Sequence, residues 1–196
     1  MKNTARLREF VQAFTHLVEA HGDDEAIVMD KGGELLRALI DNDDWLEDEF
    51  AKAHPDHYQQ YLLYCDPFER FCVTSFVWGP GQHTPVHNHT VWGLVGVMRG
   101  RETCREFANS DGRAELRQLD EHAIEPGEID RVSPTIGDVH QVANACTDQT
   151  SVSIHVYGAN IGAVERHVFD ARSGLAKPFI SGYSNTVVPN IWDRHA

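Results

Sequence analysis

No stretch of this chain approaches the ~18 consecutive apolar residues that a membrane-spanning helix requires. The opening residues, MKNTARLREF, hold no apolar segment of the kind a secretory signal needs. These two absences make a cytoplasmic location the expectation and set membranes aside as partners. Positive charge is scarce: 17 lysines and arginines face 30 aspartates and glutamates, a formal net charge of −13. That balance disfavours nucleic acid and anionic membrane surfaces. It also means that an anionic small molecule needs a local cation in its pocket. Cysteine is sparse, and Cys65, Cys72, Cys104 and Cys146 show no CxxC spacing. A cysteine zinc site or thioredoxin-type motif is therefore disfavoured, and the four read as reduced, packed thiols. Internal repeats and low-complexity segments are absent too.

What is present fits one domain: 196 residues, 41% hydrophobic and 24% charged. The first ~55 residues read as helical. Leu7, Phe10, Val11, Phe14, Leu17 and Val18 recur at helical spacing, with Asn3 or Thr4 as N-cap and Gly22 as the stop. Leu35, Leu36, Leu39 and Ile40 mark a second helix. An acidic third one, a solvated face, is expected from Asp43 to Lys52, ending at Pro55. From Tyr58 the texture changes to short runs rich in Val, Phe, Thr and Trp between Gly, Pro, Asn and Asp. Strands are expected at Phe71–Trp78, Val91–Met98, Glu102–Phe107, Ala114–Leu119, Ile129–Val132, His140–Ala143, Ser151–Tyr157 and Glu165–Asp170, before an irregular tail. Many short strands suggest a sandwich or barrel.

Histidine is over-represented, with 12 residues. In Gly81-Gln82-His83-Thr84-Pro85-Val86-His87-Asn88-His89, the spacing of His87 and His89 places both imidazoles on one face of a strand. Two neutral imidazoles so placed can share a metal ion. Downstream stands Pro134-Thr135-Ile136-Gly137-Asp138-Val139-His140-Gln141-Val142-Ala143-Asn144. Together the runs resemble the two-part motif of the cupin superfamily, over roughly residues 58 to 170. The Pro-to-Gly gap is one residue looser than usual. The resemblance implies a mainly β, antiparallel jelly-roll barrel in which His87, His89 and His140 converge on a metal. The expected organisation is a helical cap over 1–55, a barrel over 58–170 and a tail over 171–196.

Most cupins place a glutamate ligand four residues after the second histidine, where this chain has Gly93. Three neutral imidazoles leave the ion's charge unneutralised and coordination positions open, which favours an anionic ligand such as a thiolate. Imidazole ligands alone do not choose between zinc, iron, copper and nickel.

The run Ser-Val-Ser-Ile-His-Val-Tyr from Ser151 to Tyr157 alternates polar and β-branched residues. Ser153, His155 and Tyr157 share one strand face, as a hydrogen-bonded ladder or a proton relay ending at a phenol. Three histidines followed by Ser-x-His-x-Tyr resemble the thiol dioxygenases among the cupins, the group like cysteine dioxygenase type I. That resemblance implies Fe(II), O₂ and a small thiol carboxylate bound through sulfur, whose sulfur receives both oxygen atoms to give a sulfinate. It also implies that Tyr157, held by His155 and Ser153, acts beside the iron. Gly93 occupies the position of a cysteine that cross-links to the tyrosine in the animal type, and Gln60 that of the arginine which holds cysteine's carboxylate. Glutamine there, an arginine at Arg166 and the run TVWGLVGVMRG are closer to bacterial 3-mercaptopropionate dioxygenases. Arg166 would grip the carboxylate bidentately, aided by Gln60.

Cysteine or mercaptosuccinate as substrate, a zinc hydrolase or isomerase on the same barrel, and a non-catalytic binding cupin are the alternatives. Many cupins self-associate, so a homo-oligomer is an allowed state. Trp92 reads as pocket wall or core. His83, Asp138 and Asn144 are candidates for orienting the ligands, and His54, His57, His122, His167 and His195 read as solvent-facing or structural.

Overall fold

The computed structural model describes residues 2–108 and 114–186. The chain opens with two α-helices, α1 (Ala5–His21) and α2 (Glu25–Ile40). Eleven strands follow: β1 (Gln59–Cys65), β2 (Cys72–Trp78), β3 (Val86–His87), β4 (Gly93–Arg99), β5 (Glu102–Phe107), β6 (Gln118–Ile124), β7 (Ile129–Val132), β8 (Val139–Asn144), β9 (Ser151–Tyr157), β10 (Arg166–Phe169) and β11 (Ala176–Phe179). They form a five-stranded sheet in the order β1-β2-β9-β4-β7 and a six-stranded sheet in the order β11-β10-β3-β8-β5-β6, with antiparallel pairing. This is a cupin jelly-roll barrel with an N-terminal helical pair.

The apolar stripe of α1 buries Phe10, Phe14, Leu17 and Val18. α2 starts where Asp24 Oδ1 accepts from the Ile27 amide at 3.1 Å, so its N-cap is an aspartate the helical spacing did not single out. Gly32 lets the helices close up, since a Cβ there would stand 2.9 Å from the Phe14 ring. Both helices pack on the outer face of the five-stranded sheet, against Val73, Val77, Leu94, Val152, Ile154 and Val156. They cap the barrel by covering its wall.

The expected third helix is only a 3₁₀ turn at Asp48–Ala51. Its acidic residues repel at helical spacing. Trp45 and Leu46 are buried instead, with the Trp45 indole donating to Leu39 O at 3.1 Å. The strand expected at Ala114–Leu119 lies later, as β6, whose Glu102-to-Ile124 register is imposed by β5. β1 and β11 were not anticipated. The tail is not irregular throughout, and its residues 187–196, with His195, lie outside the described residues.

Candidate metal centre and its surroundings

Strand β3 is only two residues long, so His89 lies just past its end. His87 pairs with His140 across β3 and β8. Thr90, the next residue, bends the chain with φ +61°, a costly conformation for a β-branched residue. Asp138 holds that bend. Its Oδ1 accepts from the His89 amide and its Oδ2 from the Thr90 amide, both at 2.9 Å.

The three imidazoles converge. Each pair of ring centroids is 4.8 Å apart, and one ring nitrogen from each lies within 4.8 Å of the others. All three are buried. Two of the Nδ1 atoms face an acceptor, Pro85 O for His87 (3.1 Å) and Asp138 Oδ1 for His89 (2.9 Å), and His140 Nδ1 lies 3.5 Å from Cys104 Sγ. For His87 and His89 that places the proton on Nδ1 and leaves Nε2 with its lone pair. His89 Nε2 has no hydrogen-bond partner among the described residues. Burial, then the neighbouring imidazoles, pushes His87 well below the ordinary histidine range, and burial takes His140 down to about 4. Burial, then His140, Arg166 and His155, act likewise on His89. Three neutral imidazoles around a bare buried lone pair are what a divalent cation needs, so the residues fit a metal.

β9 supplies the opposite wall. Tyr157 stacks on His89 with centroids 5.3 Å apart. His155 Nδ1 and Tyr157 Oη are 2.8 Å apart, as are His155 Nε2 and Ser153 Oγ, and the Trp78 indole donates to Ser153 Oγ at 3.4 Å. Phe76 stacks on His155 at 4.1 Å and shields it from water. Burial raises the Tyr157 phenol, against the lowering influence of Arg166, so it stays protonated. Gly93 is the space in which this tyrosine sits: a Cβ there would lie 2.8 and 2.9 Å from two Tyr157 ring carbons.

Arg166 is buried at 3% exposure, and its charge acts on all three imidazoles and on Tyr157. Its guanidinium lies 4.7 Å over the Phe179 ring, and Nη2 donates to Ser181 Oγ at 2.7 Å. Nε has no partner among the described residues, nor has Nε2 of buried Gln60. Glu165 therefore does not take Arg166 to the surface. Gln60 lies on β1 opposite Phe76, and its backbone N–H donates to Ser184 Oγ at 3.0 Å.

Of the proposed orienting residues, Asp138 touches a ligand histidine. His83 Nδ1 faces Thr84 O, and the Asn144 amide donates to Trp78 O and Gln149 O. Trp92 packs on Phe14, 6.0 Å between centroids, under helix α1. His122 is held between Asp120 and Asp130, at 2.9 and 3.4 Å. Sequence reasoning missed Cys104 as the partner of His140. It also missed Tyr58, whose phenol feels Arg166, and Phe179 and Ser181. The only signal for Cys104 was its position in an alternating strand.

A jelly-roll barrel with three buried, converging histidines defines a cupin whose histidine triad could hold a metal ion. The chain belongs to the cysteine dioxygenase type I family, whose sequence model matches residues 3–172. Its reaction class is accordingly thiol dioxygenation. Among solved structures it is similar to TT1209 from Thermus thermophilus (18% identity, TM-score 0.44, covering 57% of this chain and 92% of that one). It is also similar to a cupin 2 conserved barrel domain protein from Rhodopseudomonas palustris (16%, 0.44, 61% and 74%). A third is an RmlC-like cupin with a double-stranded β-helix fold from Methanocaldococcus jannaschii (14%, 0.41, 55% and 87%). Among the described residues no helix is long and apolar enough to cross a membrane.

Proposed function

We propose that this protein oxidises a small thiol carboxylate, 3-mercaptopropionate first among them, to its sulfinate with O₂, using iron(II) held by His87, His89 and His140. The observation that carries this reading is the set of unpartnered buried polar atoms: a lone pair on His89 Nε2 and N–H donors on Arg166 and Gln60. Buried polar groups are costly unless a partner completes them. A carboxylate answers the guanidinium and the amide, and a metal answers the imidazole. Iron(II), when bound, supplies open coordination positions and the redox chemistry that O₂ requires.

Arg166 orients the substrate through its carboxylate and offsets the protein's adverse net charge. Its hydrogen bond to Ser181 and its position over Phe179 prevent the side chain from swinging out. Gln60 donates a second hydrogen bond. Tyr157 stays protonated and donates its hydrogen bond at the reacting sulfur or oxygen, with His155 holding the phenol in place. Cysteine is the second reading, favoured by the family's name. It would also need an acceptor for its ammonium group, whereas the unpartnered nitrogens of Arg166 and Gln60 are donors.

Oxygen uptake by the iron-loaded protein, with 3-mercaptopropionate, cysteine and a thiol amine lacking a carboxylate side by side, tests this. The expected result is preference for 3-mercaptopropionate with sulfinate formed. Arg166→Gln should lower kcat/KM for carboxylate thiols by roughly tenfold to 100-fold, the worth of a charge-assisted hydrogen bond, and spare the thiol amine. Preference for cysteine would revise the substrate. No uptake with any thiol, or zinc in protein purified without added metal, would overturn the reading.

A further inference from the structure

Glu102, on β5, is a glutamate at 0% exposure in the barrel wall. A carboxylate is among the costliest groups to bury without a cation. Among the described residues no guanidinium or ammonium acts on this one: the groups that do are Ser153, Ser151 and Trp78. Oε1 accepts from Ser151 Oγ at 3.2 Å. Oε2 makes no well-formed hydrogen bond among the described residues, although Ser153 lies near enough to favour the anion. Ser153 is also the far end of the chain that runs through His155 to Tyr157.

We propose that Glu102 is the buried terminus of this relay and a positioning residue that sets its direction, so that its ionisation decides whether Tyr157 presents a proton or a lone pair to the metal chamber. The inference rests on the thiol dioxygenase reading for its chemistry and, for its wiring, on the burial of Glu102 against Ser151 and on the contacts that join Ser153, His155 and Tyr157.

Two proton arrangements are open to the chain once the Glu102 carboxyl closes onto Ser153, which Oε2 does not yet bond among the described residues. With Glu102 protonated, its O–H donates to Ser153 Oγ and Ser153 donates to His155 Nε2. His155 Nδ1–H then donates to Tyr157 Oη, and the phenol proton is free to point into the chamber. With Glu102 ionised, each donor reverses. Ser153 donates to the carboxylate, His155 Nε2–H donates to Ser153, and Tyr157 O–H donates to His155 Nδ1. Passage between them conserves protons. A thiol S–H breaks and leaves its electron pair on sulfur, and its proton goes to Tyr157 Oη. The phenol's own proton moves to His155 Nδ1, the Nε2 proton to Ser153, and the Ser153 proton to Glu102. Nothing is oxidised, and the negative charge moves from Glu102 to sulfur.

Burial pushes Glu102 up to about 8, within a pH range at which a proton is readily gained or lost. Burial also keeps His155 neutral, so it changes tautomer and not charge. The other titratable groups on its own strand and the strands paired with it are Cys104, Arg105 and Glu106 on β5, Asp120, Glu121 and His122 on β6 and His140 on β8, while the other sheet carries His155 and Tyr157 on β9, Cys72 on β2 and Arg99 on β4. The first of these is a thiol that burial holds protonated, and Arg99 is occupied by Asp43.

The test is the tautomer of His155, read by ¹⁵N NMR on the metal-free full chain labelled at histidine, with His155→Gln giving the assignment. The wild type should pass from Nδ1–H to Nε2–H with a midpoint near pH 8, the value of Glu102. Glu102→Gln, matched in shape, should show one tautomer between about pH 6 and pH 10, and Glu102→Asp should restore a transition. An invariant wild-type tautomer, or the same transition in Glu102→Gln, overturns the proposal. Because this readout needs neither metal nor thiol, it separates the relay from the substrate reading. A titrating tautomer without oxygen uptake would sink only the reaction, and sulfinate formation with a fixed tautomer only the relay.

Discussion

On one face of β9, Val152, Ile154 and Val156 press against the two helices, while on the other Ser153, His155 and Tyr157 line the barrel interior. Both faces are fully buried, on one seven-residue backbone. The outer face holds its neighbours by excluded water, which is non-directional and tolerant of similar shapes. The inner face depends on directed hydrogen bonds, each of which needs a partner at the right distance. Stability and chemistry can therefore be damaged separately along the same strand.

The largest effect expected from that division is on the chemical side. His89→Ala removes one of the proposed metal donors and should lower metal affinity by more than the 10–100-fold typical of losing an outer partner, and abolish turnover. Metal content per chain and oxygen uptake measure this, and the unfolding midpoint of the metal-free protein should move little. A large loss of metal-free stability would mean that the inner face also holds the fold together. Next, Ile154→Ala should cost about 2–5 kcal/mol in urea unfolding, by lost contacts and a cavity, with kcat/KM unchanged below the transition. A tenfold fall in kcat/KM would break the separation, because it would show outer packing tuning His155. The smallest effect is at the tail. Ser181→Ala removes one partner of Arg166 and should raise KM for thiol carboxylates about fivefold, the worth of roughly 1 kcal/mol, and leave kcat alone. No change in KM would place the anchoring of Arg166 in Phe179 and the barrel wall.

The last of these concerns a segment that sequence reasoning read as irregular. The family's sequence model stops at residue 172, and Phe179, Ser181, Ser184 and Asn185 lie beyond it. Yet Ser181 and Phe179 touch Arg166, and Ser184 and Asn185 bond the backbone of β1 at Gln60 and Leu62. β11 itself reads Ala-Lys-Pro-Phe, largely exposed, with no apolar alternation to announce it. β1 was missed for a similar reason, since Gln59-Gln60-Tyr61-Leu62-Leu63-Tyr64-Cys65 breaks the alternation and carries a register shift between Leu62 and Tyr64. Glu102 and Cys104 escaped notice because a carboxylate or a thiol in a strand has no local mark of its surroundings.

Whatever depends on neighbours a few residues apart was present in the sequence itself: the helical stripes of α1 and α2, the two faces of β9 and the histidine spacings of the cupin motif. Those patterns arise from backbone periods of 3.6 and 2 residues, which any local reading can detect. The tertiary structure decided the rest: the hold of Asp138 on His89 and Thr90, the burial of Glu102 against Ser151, and the tail that holds Arg166 in place. These depend on the register between strands distant in sequence, which only packing of the whole barrel determines.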